Sequence, residues 1–133
     1  IDDYVNMIDK IYRKILESLE LSRIKITVFG FSQGGHTAVR WLSKKQPSVN
    51  NLILWGSGIP RDVNYKSNFN YWNGIKIKLL FGNNDKFISK EKLDNELTFI
   101  NTMKLNYKLI NYSGTHKIDQ LNLKYVLKRI EII

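Results

Sequence analysis

Residues Gly30-Phe31-Ser32-Gln33-Gly34-Gly35 constrain this chain more than any other stretch. They follow a short β-type run, Ile24-Lys25-Ile26-Thr27-Val28-Phe29, and open a helical pattern over residues 34–45. A Gly-x-Ser-x-Gly run in that setting requires a strand that turns sharply into a helix, with the serine at a strained apex. Gly30 and Gly34 flank the apex, where a Cβ is expected to collide with the neighbouring element. The Ser32 hydroxyl then projects above the edge of a sheet. The backbone N–H of Gln33, at the helix start, is aimed where an oxyanion would form.

The rest of the chain repeats this alternation. Residues 2–21 have amphipathic helical spacing, with Val5, Ile8, Ile11, Tyr12, Ile15, Leu16 and Leu19 on one broad stripe. Asp2 and Asp3 suit the helix N-terminus. Strands are expected at 24–29, 51–55, 75–81 and 107–112, and further helices at 90–104 and 119–129. Ser89 is placed to cap the first of those helices. Residues 61–73 are polar, aromatic and irregular, and are expected to form a surface loop. The order α-β-α-β-loop-β-α-β-α predicts an α/β fold, a mainly parallel sheet flanked by helices on both faces. No linker divides the 133 residues, so a single domain is expected.

Composition sets outer limits. No apolar run is long enough to span a bilayer, so no stable membrane insertion is expected. Without cysteine there are no disulfides or thiolate metal sites. The net charge of +9 comes from lysines scattered along the chain, not from one block. Lys76 and Lys78 alternate with isoleucine as the polar face of a strand would. The aromatic residues are not interleaved with basic ones, so no nucleic-acid partner is expected. A cytoplasmic location is the working expectation. The chain opens at Ile1, already in a helical pattern, and is expected to be part of a longer domain.

A serine hydroxyl is a poor nucleophile at neutral pH, and needs a base that is itself held by an acid. In open α/β sheets such groups gather at the carboxyl ends of strands. Three strand ends offer Ser32, Asp85 and His116, in the order expected for an α/β-hydrolase. Asp62 also follows a strand and competes with Asp85. His36 competes with His116, but it sits one helical turn after the serine, on the wrong side of it.

These residues resemble the carboxylesterase/phospholipase family of α/β-hydrolases, which includes the acyl-protein thioesterases. Gly30-Phe31-Ser32-Gln33-Gly34-Gly35 carries that family's glutamine after the nucleophile. Ser57-Gly58-Ile59-Pro60 resembles its Ser-Gly-x-x-Pro segment. Phe81-Gly82-Asn83-Asn84-Asp85-Lys86-Phe87-Ile88 resembles its acid loop, with Phe81 in place of a frequent histidine. Tyr112-Ser113-Gly114-Thr115-His116 is a looser match to its histidine loop.

The resemblance covers the second half of the family's domain. The family's first strands, and the loop giving a second oxyanion donor, would precede Ile1. Their absence would leave the elbow strand at a sheet edge. The resemblance implies hydrolysis of a carboxylic ester or thioester on Ser32, with His116 as base, Asp85 as its orienting acid and Gln33 as oxyanion donor. The implied substrate is a small-molecule or lipid ester or thioester, and no cofactor or metal is required.

Trp55, Phe87 and Ile88 are candidates for an apolar acyl slot, with core packing as the alternative. Trp41 is expected in the core. Residues 61–73 could cover the site or pack elsewhere. A non-catalytic binding module, and a peptidase or acyltransferase on the same fold, stay open as alternatives.

Overall fold

The computed structural model describes residues 1–20 and 23–131. The first helix, expected to run to residue 21, ends at Leu16, and residue 21 itself lies outside the described residues. Four parallel strands, β1 (Thr27–Phe31), β2 (Asn51–Trp55), β3 (Lys76–Gly82) and β4 (Tyr107–Tyr112), form one sheet in the order β1-β2-β3-β4. The helices are α1 (Asp2–Leu16), α2 (Gln33–Lys45), α3 (Phe69–Asn73), α4 (Lys90–Thr102) and α5 (Gln120–Glu131). Parallel neighbours need a crossover between them, and the helices following β1 and β3 supply two of these. The strand ahead of the serine starts three residues later and ends two residues later than its sequence pattern suggests. The irregular stretch after β2 closes into the short helix α3.

Alternation along the strands divides the core in two. Val28, Leu52, Leu54, Ile77, Leu79 and Leu109 face a large cluster that α2 completes with Val39, Trp41 and Leu42. Val5 of α1 and Ile100 of α4 close it. Ile53, Trp55, Leu80 and Tyr112 face the other way, against Val126, Leu123 and Ile130 of α5. At roughly 25 cal/mol per Å² of apolar surface removed from water, the larger cluster supplies the larger share of the hydrophobic stabilisation. Trp41 is core, as expected, and its indole N–H donates to the Asp9 carboxylate at 3.2 Å. Arg13 donates to the other oxygen of Asp9 at 2.8 Å. Burial pushes the Asp9 carboxyl up, but these two donors outweigh it and hold the group below its ordinary range.

Two patterns in the sequence misled. The broad stripe on α1 splits: Val5, Ile8 and Tyr12 pack inward, while Ile11 and Ile15 are 53% and 58% exposed. A helix offers about 100° of arc to one neighbour, and seven apolar positions exceed it. Lys78 is not on a solvent face but buried, because β3 is covered on both sides. Burial, then Lys108 and Arg129, push its amine down.

β1 forms one edge of the four-stranded sheet, and Phe29 on it is partly exposed. No helix among the described residues is long and apolar enough to cross a membrane.

Candidate active site

Ser32 stands at the junction of β1 and α2 with φ 51° and ψ −124°. For a residue with a Cβ this left-handed conformation costs on the order of 1–3 kcal/mol and persists only when its surroundings fix it. They do so from both sides. The Ser32 N–H donates to the Trp55 carbonyl at 2.9 Å, and the Gly35 N–H donates to the Ser32 carbonyl at 3.0 Å.

The glycines explain how strand and helix approach so closely. A Cβ on Gly30 would lie 2.6 Å from the Cα of Gly35, and one on Gly35 would lie 2.1 Å from Ser57 Oγ. Gly34 behaves otherwise: a Cβ there meets nothing within 4 Å. The expected collision at Gly34 is therefore displaced by one residue, to Gly35, which the helix turns toward the end of β2.

The other two residues come from the loops after β3 and β4. His116 Nε2 is 3.0 Å from Ser32 Oγ, and His116 Nδ1 is 2.6 Å from Asp85 Oδ2. With Nδ1 protonated and donating to the carboxylate, the Nε2 lone pair faces the serine hydroxyl. Asp85 is buried, and its other oxygen accepts the N–H groups of Phe87 at 2.8 Å and Ile88 at 3.2 Å. The carboxylate is thus fixed at both oxygens. Hydroxyl, imidazole and carboxylate form one hydrogen-bonded chain.

The two loops are stitched together. Asn83 donates its N–H to the Tyr112 carbonyl, and its side-chain oxygen accepts from the Gly114 N–H. Asn84 donates to the Gly114 carbonyl. A Cβ on Gly82 would fall 2.4 Å from that carbonyl oxygen, so glycine is what lets the two backbones touch. Gly56, at φ 58°, lies under the imidazole, where a Cβ would sit 2.9 Å from His116 Cε1.

Asp62 and His36, the competitors, are elsewhere. Asp62 pairs with Arg40, the nearest Asp62 oxygen 3.1 Å from Arg40 Nη2. His36 lies on α2; burial and then the Arg40 charge push its imidazole below the ordinary histidine value.

The acyl slot is not as expected. Trp55 is wholly buried in the smaller cluster and donates its indole N–H to the Tyr112 hydroxyl at 2.8 Å. Strand alternation turns it under the sheet, away from the elbow's mouth. Ile88 packs on the larger cluster and lines a groove with Leu93, Leu97 and Leu109. Phe87 alone stays at the mouth: it is 69% exposed and its ring centre is 4.9 Å from that of His116.

Residues 61–73 pack over the larger cluster instead of over the serine. Tyr65 donates to the Pro60 carbonyl and stacks near Trp72 and Phe99, and Tyr71 donates to the Pro47 carbonyl beyond the far end of α2.

Several residues were not singled out from sequence. Phe31 contacts the imidazole with ring centres 5.1 Å apart. Gly56 and Tyr112 flank the histidine loop. Glu96 accepts from the Ile59 N–H at 2.6 Å and pairs with Arg61, tying the segment after β2 to α4. The signals were present, in a glycine after a buried strand and a tyrosine four residues before a histidine. Their meaning depends on which loops meet in space. Among the described residues no cluster of three His, Asp or Glu is arranged to hold a metal ion.

A profile of the alpha/beta hydrolase fold matches residues 1–109, and the chain belongs to that family. Solved structures carry the likeness over almost all of it. SOBER1 of Arabidopsis thaliana superposes with a TM-score of 0.70 at 17% identity, over 98% of this chain and 62% of that one. Acyl-protein thioesterase 2 of Zea mays gives a TM-score of 0.71 at 16% identity, over 98% and 62%. S-formylglutathione hydrolase of Staphylococcus aureus gives 0.66 at 14% identity, over 97% and 59%. The chain thus spans about three fifths of the length of these proteins. At such identities the likeness establishes the fold. No curated protein matches the sequence at a significant level.

Proposed function

We propose that this chain carries the nucleophile, base and acid of a serine hydrolase that cleaves carboxylic esters or thioesters. The observation that carries the reading is the hydrogen-bonded path Ser32–His116–Asp85, at 3.0 and 2.6 Å, on a strained elbow. Two neighbours have names that specify thioester chemistry, acyl-protein thioesterase 2 and S-formylglutathione hydrolase, which supports including thioesters.

Ser32 Oγ attacks the acyl carbon as its proton passes to His116 Nε2. Asp85 stays ionised, holds the Nδ1 proton and stabilises the imidazolium. The charge that develops on the carbonyl oxygen faces the Gln33 N–H, one of the unpaired donors that open α2. His116 then returns the proton to the leaving alcohol or thiol. Water, activated by the same imidazole, releases the acid and restores Ser32. Each residue in this cycle belongs to the chain itself. The substrate is a small-molecule or lipid ester or thioester.

A fluorophosphonate probe tests the reading. The protein is expected to be labelled at Ser32 and to hydrolyse a short acyl ester or thioester. Ser32→Ala should abolish both, and equal turnover in Ser32→Ala would sink the proposal.

A further inference from the structure

His116 is the part of the site most exposed to misplacement. It belongs to no strand or helix but to the short loop between β4 and α5. Its Nε2 must nevertheless stay within hydrogen-bond reach of Ser32. A side chain on a loop is placed by whatever fixes the backbone on either side of it.

One side chain reaches both sides. The Tyr112 hydroxyl is 2.8 Å from the carbonyl oxygen of Thr115 and 3.3 Å from that of Lys117, the residues before and after His116. A phenol has one proton to donate, so the shorter bond takes most of it and the longer shares it. The hydroxyl oxygen in turn accepts the Trp55 indole N–H at 2.8 Å. An indole nitrogen can only donate, which settles the direction of the chain: Trp55 to Tyr112, then Tyr112 to the loop.

Trp55 is fixed in its turn. It is fully buried at the end of β2, and its own carbonyl accepts the Ser32 N–H. One residue therefore meets the nucleophile through its backbone and, by way of Tyr112, the histidine loop through its side chain. Burial pushes the Tyr112 phenol up; the Trp55 N–H pulls it the other way, but burial, with the carboxylates of Asp85 and Asp119, prevails. The hydroxyl stays protonated at neutral pH and keeps its donor.

We propose that Tyr112 and Trp55 are a positioning pair, an internal strut that fixes the distance between Ser32 and the histidine loop. The inference rests on the serine-hydrolase reading above for its consequence in catalysis, but not for its geometry. Trp41 shows the ordinary alternative. Its indole N–H is also bonded, to Asp9, and serves α1 packing with no link to the site.

Tyr112→Phe keeps the ring and deletes the hydroxyl. A misplacement of about 1 Å at reacting groups lowers rates by up to roughly 100-fold. Labelling by a fluorophosphonate and kcat for a short acyl ester are therefore expected to fall roughly 10- to 100-fold, with KM changed less than about twofold. The downfield proton resonance of the His116–Asp85 bond provides a readout that needs no activity, and it is expected to shift or broaden. Trp55→Phe should move both readouts the same way by less, and it decides the matter if Tyr112→Phe does not fold. A variant that loses stability while the resonance and the reactivity per folded molecule stay at the wild-type level would overturn the proposal. A wild-type protein that never labels, yet whose resonance responds to Tyr112→Phe, would remove the enzymatic reading and leave the strut standing.

Discussion

One face of the sheet lies under α1 to α4, and the other under α5 alone. The thick face holds most of the buried apolar side chains. The thin face holds few, yet Phe31, Trp55 and Tyr112 all belong to it: Phe31 touches the imidazole, Tyr112 bonds the histidine loop, and Trp55 bonds Tyr112. Stability and placement of the base are thus assigned to opposite sides of the same four strands. A strand makes this possible because successive side chains point to opposite faces. Leu54 can serve the fold while Trp55, next to it, serves the site.

The division can be broken by substitutions on either face. Leu54 is fully buried in the larger cluster. Leu54→Ala is expected to lower stability by about 2–5 kcal/mol, read by denaturant unfolding. Its fluorophosphonate labelling per folded molecule should match wild type; a large loss there would show that the thick face also sets the site.

On the thin face, Phe31→Leu removes the ring beside His116 while keeping an apolar side chain. Labelling should slow about tenfold, equivalent to about 1.4 kcal/mol in the barrier, with a smaller loss of stability than in Leu54→Ala. Unaltered labelling kinetics would mean that Phe31 is packing alone.

The smallest effect sharpens the boundary between the faces, where α2 leaves the elbow. Gly34 has open space around its Cβ position. Gly34→Ala is expected to stabilise the helix by about 0.5–1 kcal/mol and leave labelling intact. Gly35→Ala should destabilise, because Ser57 occupies the space the methyl needs. Equal thermal shifts for the two variants would contradict the close-packed elbow.

Much of this was legible in the chain. The alternation of strand and helix, the elbow, and the order Ser32, Asp85, His116 are local patterns, and local chemistry sets them. The four strands formed within three residues of their expected ends. What escaped depends on partners distant in sequence. Periodicity marked Trp55 as apolar at a strand end but could not say which face it would take. The lysine at position 78 alternated like a surface residue, although α5 covers that side. Gly34 and Gly35 are equivalent as letters, and only the approach of Ser57 separates them. The apolar residues of α1 outnumber what α2 can cover, and no count of the sequence says which will stay outside.

The strand order β1-β2-β3-β4 also repeats the order of the chain. Among the described residues each parallel pairing joins strands made consecutively, so each of these closures is short. During synthesis, N-terminal segments emerge and fold first. The serine and its elbow are then made well before β4 and the histidine loop. A serine without its base is a weak nucleophile. On the proposed reading, the nascent chain stays chemically silent until β4 and the histidine loop dock, and that docking is itself the activating step.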